Sequence, residues 1–225
     1  MKTCKVIIIT ILTMSSQMMF GQQNDGFLDV YHFYKNSQDL PSKHSYEYQA
    51  IEGSPYLNSE FIEGVIYLKD TTSYKLPLRY DIYADEMEYR LKGVNYVVGN
   101  PQFLKKILLG ESVFIYLPFI QKGGYFELLE SGKCFLVQKR SVQFKPAEGP
   151  KPIEGISTPA KFIREPDIFY IGVKDSKTIE IIYMKSVLTA LQDQKLKIES
   201  FIKTEKIKRT TRENLIKIAK YYNSL

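Results

Sequence analysis

Residues 61–98 read FIEGVIYLKDTTSYKLPLRYDIYADEMEYRLKGVNYVV, and this stretch decides the fold. It is rich in β-branched and aromatic residues, and polar turn sequences interrupt it at 70–73 and 92–93. Apolar and polar side chains alternate between the turns, a pattern typical of strands with one face in a core. We therefore expect four consecutive antiparallel strands. Pro77 cannot donate to a β-ladder, so its strand is predicted to begin at an edge or a bulge.

The same pattern continues toward the C-terminus, where glycine-containing turns separate short apolar segments at 103–109, 113–117, 125–129 and 133–138. Strand signals about ten residues apart predict an antiparallel meander, barrel-like or part of a sandwich. Residues 145–159 contain four prolines and two glycines, which favours an extended surface connection. Further strands are predicted at 160–163, 168–173 and 178–183.

After residue 183 the apolar residues recur at helical spacing, so residues 184–225 are predicted to form amphipathic helices. Thr210 and Glu213 have the spacing of a capping box, which would open the last helix. The predicted fold class is therefore α+β, with an antiparallel β-rich meander followed by a C-terminal helical segment.

The N-terminus has the pattern of a cleaved export signal. Two lysines precede an apolar run that ends at Phe20, and polar Gln22 follows Gly21. The run is about 15 residues long, whereas a bilayer-spanning helix needs about 20. We predict a signal peptide at 1–21 and a mature chain without a transmembrane span, with an uncleaved anchor as the alternative. Residues 22–52 are predicted to form a short helix at 27–35 and a loop, ahead of a β-rich body at 53–183.

Charge is distributed unevenly along the chain. The formal net charge is +6; residues 195–220 carry +6, the signal peptide +2 and residues 22–194 −2. A basic tail of this kind can bind anionic lipid, lipopolysaccharide or nucleic acid. It is more often the solvated face of helices, or it docks on an acidic body. The candidate residues for an anionic surface are Lys206, Lys208, Arg209 and Arg212.

Four stretches together resemble a large group of small exported β-rich proteins from Gram-negative bacteria. They are GSPYLNSEF at 53–61, LRYDIYADEME at 78–88, GYFELL at 124–129 and YYNSL at 221–225. The resemblance covers about residues 53–225 and implies export and a β-then-α order. It implies no reaction, ligand or catalytic residue.

The sequence lacks the residues or motifs that several kinds of catalytic and cofactor-binding site require. His32 and His44 are the two histidines, and the chain contains no Gly-x-Ser-x-Gly, no P-loop and no Gly-x-Gly-x-x-Gly. We therefore expect no serine-hydrolase triad, no metal site and no cofactor. Beyond the signal peptide one cysteine remains, Cys134, which we expect to be a buried small apolar residue rather than a nucleophile.

Two groups of residues remain as candidates. Asp85, Glu86 and Glu88 form an acidic cluster, and paired carboxyl groups can hydrolyse glycosides. Such carboxylates are more often surface groups, and the chain has no Trp for sugar stacking. The second group consists of four tyrosines on consecutive predicted strands: Tyr80, Tyr83, Tyr89 and Tyr96. They would form an aromatic face that binds a peptide or glycan, or alternatively the half-buried margin of the sheet.

The sequence favours a non-enzymatic exported protein that works by binding or assembly, with an envelope or outer-membrane protein as its partner. The expected location is periplasmic, outer-membrane-associated or secreted, and nucleic acid is not an expected partner. The alternatives are an enzyme that hydrolyses glycosides or other polymers through the acidic cluster, and an anionic-surface binder that uses the basic helices.

Overall fold

The computed structural model describes residues 32–35, 40–42, 44–118, 120, 123–149, 157–173 and 178–225. The predicted signal peptide lies outside the described residues, as does most of the helix predicted at 27–35. Residues 32–35 of that helix are described and are helical. Of the predicted connection at 145–159, residues 150–156 lie outside the description.

Twelve strands occur within these ranges: β1 Ile62–Leu68, β2 Ser73–Asp81, β3 Glu86–Leu91, β4 Val94–Val97, β5 Leu104–Leu109, β6 Ser112–Tyr116, β7 Tyr125–Glu130, β8 Cys134–Lys139, β9 Val142–Lys145, β10 Lys161–Arg164, β11 Ile168–Val173 and β12 Ile179–Ile181. Ten of them form one antiparallel sheet in the order β12-β11-β8-β7-β6-β5-β1-β2-β3-β4, and β9 pairs with β10 as a separate ribbon. The sheet is open rather than closed into a barrel, with β4 and β12 at its edges.

Besides the helical residues 32–35, the description contains the helices α1 His44–Glu47, α2 Met184–Ala190, α3 Lys195–Thr204 and α4 Arg212–Ser224. The predicted α+β class, β-rich first and helical last, is confirmed. One local prediction is wrong by a residue. Thr211 rather than Thr210 caps α4, because its hydroxyl accepts a hydrogen bond from the backbone N–H of Asn214. None of these helices combines the length and the apolar character needed to cross a bilayer.

Local sequence explains the turns that fix the β2–β4 register. Lys92 and Gly93 both have positive φ, 50° and 79°, as the tight turn between β3 and β4 requires. At Pro77, β2 is paired with β1 alone, since its pairing with β3 starts at Leu78. Pro77 therefore lies in the part of β2 that has a neighbouring strand on one side only.

Most of the core lies on one face of the ten-stranded sheet, here called the inner face. Two rows of cross-strand neighbours mark this face. The row across β3, β2 and β1 is Tyr89, Leu78 and Ile62. The row from β1 to β12 is Ile66, Ile107, Phe114, Glu127, Gln138, Phe169 and Ile181. A first apolar cluster covers β1–β6 and includes Val142 and Phe162 of the β9–β10 ribbon. A second cluster packs α2–α4 on β8, β11 and β12. The opposite, outer face of β2 and β3 is polar.

Candidate functional site

The outer face of β2 and β3 carries charged side chains that the register brings together. Arg79 is directly opposite Glu88, and Asp81 is opposite Glu86. Residues 40–42 and 44–61, here called the cover, extend over this face. Their backbone forms hydrogen bonds to Tyr80 through Leu57 and to Asn95 of the edge strand β4 through Ser42. Charged groups that would be solvated on a bare sheet are therefore covered.

Arg79 and Glu88 form a buried ion pair beneath this cover. Nε and Nη2 of Arg79 donate to Oε2 of Glu88 at 3.0 and 2.7 Å, and Nη1 donates to the carbonyl of Ser59. The Ser42 hydroxyl donates to the other carboxylate oxygen at 2.5 Å. The Glu88 side chain is fully inaccessible, and a buried charge needs such partners. Both groups are therefore structural, because they fix Ser42 and Ser59 to the sheet.

Arg79 also belongs to a stack of alternating aromatic and arginine side chains, which we call the arginine ladder: Tyr56, Arg79, Phe61 and Arg90. The Arg79 guanidinium lies 3.6 Å from the Tyr56 ring centre and 4.4 Å from that of Phe61, and the Arg90 guanidinium lies 4.2 Å from Phe61. Each contact has the geometry of a cation–π interaction. The ladder therefore holds both guanidinium groups against aromatic rings.

The two arginines of the ladder differ in how their N–H donors are used. Nε of Arg90 donates to Oδ1 of Asn95 at 3.0 Å. Its two Nη atoms have no protein acceptor among the residues that the structure describes. Arg90 is also exposed, whereas Arg79 is buried. The ladder therefore presents one oriented and unsatisfied guanidinium to solvent.

This guanidinium borders a cavity of about 580 Å³, which we call the arginine groove. Residues 41–42 and residues between 48 and 59 line one side, and Arg79, Arg90 and residues 93–95 line the other. The two arginines are the charged groups among the described lining residues. Since Glu88 neutralises Arg79, the groove keeps the positive charge of Arg90.

Asp81 lies under the same cover and is completely inaccessible. Burial is the main cause that raises the pKa of Asp81 to about 6, and the nearby carboxylates of Glu88 and Glu86 add to it. Oδ1 of Asp81 accepts the backbone N–H of Ala84. The Tyr48 hydroxyl lies against the carboxylate without the geometry of a full hydrogen bond. The pKa of Tyr48 is raised, mainly by burial and to a smaller extent by the negative charge of Asp81.

The structure does not bring the three predicted carboxylates into one cleft. Glu88 is paired with Arg79, and Glu86 is half-buried beside it, with a pKa that burial raises. Asp85 lies in the β2–β3 turn and accepts hydrogen bonds from the Tyr80 hydroxyl and from Nζ of Lys139, both at 2.6 Å. The strand alternation that the sequence showed holds for Glu86 and Glu88, but the turn directs Asp85 elsewhere.

The four predicted tyrosines do not form a shared exposed face. Tyr80 and Tyr89 are almost wholly inaccessible within the first cluster. Tyr96 stacks on Tyr89 at the margin of this cluster. Tyr83 is exposed but contacts Phe162 of the β9–β10 ribbon. Tyr80 and Tyr89 are in the core because both occupy strand positions that point to the buried inner face.

The four predicted cations of the C-terminal tail have different environments. Lys206, Lys208 and Arg209 are exposed on the connection between α3 and α4. Arg212 instead donates from Nη2 to the buried carboxylate of Glu127 at 2.9 Å and from Nε to Gln138 at 3.1 Å. Arg212 therefore joins α4 to the sheet. This docking of a basic tail residue on the β-rich body is one of the alternatives that the charge distribution left open.

Thiol, histidine and metal chemistry gain no support. Cys134 is fully buried, and burial raises the pKa of its thiol to about 12. His44 stacks on Tyr48, and its Nδ1 lies 3.3 Å from Glu47. Within the described ranges, no group of three or more His, Cys, Asp or Glu side chains is arranged to hold a metal ion.

Sequence reasoning named neither the arginine ladder nor the groove. The available signal was that Arg79 and Arg90 occur near Asp81, Glu86 and Glu88 on two predicted strands. No periodic pattern links these arginines to Tyr56 and Phe61. No family model, curated protein or solved structure matches the chain.

Proposed function

We propose that the chain is an exported, non-enzymatic binding or assembly protein of the bacterial envelope, and that the arginine groove is its ligand-binding surface. The observation that carries the proposal is the Arg90 guanidinium, which lines the groove, contacts Phe61 and Asn95, and has two Nη atoms without a described protein acceptor. Ligand sites typically combine a cavity of roughly 300–1,000 Å³ with a few fixed polar groups. The groove has both properties.

Binding is favoured over hydrolysis because of how the carboxylates are used. A glycosidase needs two carboxyl groups, about 5–9 Å apart, on either side of the bond that it cleaves. Glu88 is instead fully engaged by Arg79 and Ser42, and Asp85 by Lys139 and Tyr80. Glu88 and Asp85 therefore stabilise the fold through these contacts and do not face each other across a cleft.

Export is supported by the sequence of residues 1–21, whose charged start, short apolar run and polar sequel match a cleaved signal. The proposed location is the periplasm, the outer membrane or the exterior. An envelope or outer-membrane protein is the proposed partner in assembly.

The test places a photo-crosslinking amino acid at Val94, an exposed groove residue on β4, in the host cell. Cell fractionation should recover the processed chain in the envelope or medium, and irradiation should give an adduct. The adduct should disappear in Arg90→Gln and persist in Arg209→Gln, which removes the same charge elsewhere. The same crosslinker at exposed Leu196 on α3 is the positional control, and its products should not depend on Arg90.

Retention of the unprocessed chain inside the cell would contradict export. An adduct at Val94 that is unchanged by Arg90→Gln, or no adduct at all, would contradict binding through the groove.

A further inference from the structure

The solvent side of α3 carries the most exposed large apolar side chain among the residues that the structure describes. This residue is Leu196, which is 81% exposed. Ser200 and Lys203 follow it by four and seven residues and are also exposed, so the three lie along one side of the helix. The opposite side carries Ile198 and Phe201, which pack into the second cluster. Leu196 therefore exposes apolar surface to water on the polar side of an amphipathic helix.

The other exposed side chains of this region are mainly basic. Residues 195–209 contain six basic and two acidic residues, and all six basic side chains are exposed. Lys195 is paired with Glu199, and Arg212 in α4 is paired with Glu127. The residues that remain form what we call the α3 surface: Leu196, Lys197, Lys203, Lys206, Lys208 and Arg209. This surface has a net positive charge.

The backbone after α3 holds Lys206 in a conformation that suits glycine better. The N–H of Lys206 donates to the carbonyl of Lys203, and the N–H of Ile207 donates to that of Ile202. These two bonds form a Schellman motif, and Lys206 has the positive φ, 53°, that the motif requires. Glycine is the usual residue there because it has no Cβ. A lysine with this strain indicates a role for its exposed side chain outside the fold.

A protruding apolar side chain among lysines matches the surface of an anionic bilayer. Anionic head groups attract lysine and arginine side chains, and the acyl chains just beneath the head groups can take up Leu196. Lysine side chains suit this boundary, because their methylene groups can lie in apolar surroundings while the ammonium group stays in water. A nucleic acid would neutralise the cations but would offer Leu196 no apolar medium.

We propose that the α3 surface binds peripherally to an anionic phospholipid bilayer. Leu196 inserts at the boundary between head groups and acyl chains, and the five cations lie among the head groups. This binding goes beyond the proposed function, because it involves neither Arg90 nor the arginine groove.

The experiment is cosedimentation of the chain, purified as the host processes it, with vesicles of phosphatidylcholine that contain about one-third phosphatidylglycerol. Vesicles of phosphatidylcholine alone are the uncharged control. We expect the chain to bind the anionic vesicles at low ionic strength and to be released by added salt. Lys203→Gln should weaken binding about fivefold, the contribution of one basic residue near an anionic surface. Lys105→Gln, which removes an exposed lysine from β5, should not change binding.

Two further variants test the parts of the α3 surface separately. Leu196→Ser should weaken binding about 10-fold, because the apolar side chain no longer leaves water. Leu40→Ser makes the same change at a leucine that is 71% exposed in the cover, and it should not change binding. Lys206→Gly should raise the midpoint of thermal unfolding, since glycine adopts a positive φ without strain, and should still weaken binding about fivefold.

The proposal is wrong if the chain does not bind the anionic vesicles at low ionic strength, or binds the neutral vesicles equally well. Equal effects of Leu196→Ser and Leu40→Ser, or unchanged binding in Lys206→Gly, would also overturn it. Tighter binding to duplex DNA than to the anionic vesicles would assign the surface to nucleic acid instead. Arg90→Gln should bind the vesicles as the unchanged chain does, so this experiment and the Val94 crosslink can fail independently. Circular dichroism of each variant checks that it is folded.

Discussion

Asp81 shows that the cover formed by residues 40–42 and 44–61 reduces stability at neutral pH. The carboxyl group is completely inaccessible and retains one good backbone donor, the N–H of Ala84, while the Tyr48 hydroxyl adds no full hydrogen bond. Removing a carboxylate from water disfavours its charged form, which is why the pKa of Asp81 rises from 3.8 to about 6. A carboxyl group with a raised pKa binds more protons in the folded chain than in the unfolded chain.

Stability should therefore fall as the pH rises from about 4 to about 6, and this contribution should be constant above that range. Asp81→Asn removes the ionisation while an amide oxygen still accepts the Ala84 N–H. At pH 7 we expect this variant to be more stable by up to about 3 kcal/mol, from about two pKa units at 1.36 kcal/mol each. Urea unfolding at a series of pH values measures the effect.

Glu63→Gln is the control for this prediction, because Glu63 pairs with Lys75 in the open. It should change stability by less than about 0.5 kcal/mol. Loss of stability in Asp81→Asn at pH 7, or an undiminished slope between pH 4 and 6, would show that Asp81 is not buried as described.

The start of α4 makes a test between two adjacent threonines. Thr211 has the extended backbone of an N-cap and its hydroxyl accepts the Asn214 N–H, whereas the capping box read from the sequence begins at Thr210. Thr211→Ala should lower the free energy of unfolding by about 1 kcal/mol, the usual cost of losing such a cap. Thr210→Ala should cost less than about 0.5 kcal/mol. If thermal or urea unfolding showed that Thr210→Ala is less stable than Thr211→Ala, Thr210 would be the N-cap, as the sequence predicted.

The elements differ in how far sequence determines them. β1–β8 were predictable because alternation and glycine turns are local properties, and Lys92-Gly93 is one example. β9 was not predicted, since its four residues become a strand only by pairing with β10 after the proline-rich connection. The cover over β2–β4 was not predictable either. Tyr56 and Phe61 contact Arg79 only in the folded chain, and no periodic pattern in the sequence predicts these contacts.

The two large apolar clusters meet on the inner face around a polar network. Glu127 is buried there, and it accepts hydrogen bonds from Ser112 of β6, from Arg140 after β8 and from Arg212 of α4. Gln138 links the same Arg212 to Asp167. Since one continuous sheet carries both clusters, the β-rich body and the helices should unfold together. The network contributes to the coupling because it joins α4 to β6–β8.

Glu127→Gln tests this coupling, because the amide removes the carboxylate that pairs with Arg212 and the nearer of the two carboxylates beside Arg140, which keeps Asp167 at 3.9 Å. We expect a loss of about 2–3 kcal/mol, below the full cost of breaking a buried ion pair because Arg212 is partly exposed. Tyrosine fluorescence reports mainly on the first cluster, and far-UV circular dichroism reports on the helices; both midpoints in urea should move by the same amount. Glu199→Gln, which breaks an exposed pair with Lys195 on α3, should shift neither by more than about 0.5 kcal/mol. If the helical signal were lost at lower urea than the tyrosine signal, the helices and the β-rich body would be separate units. The network would then only fasten one to the other.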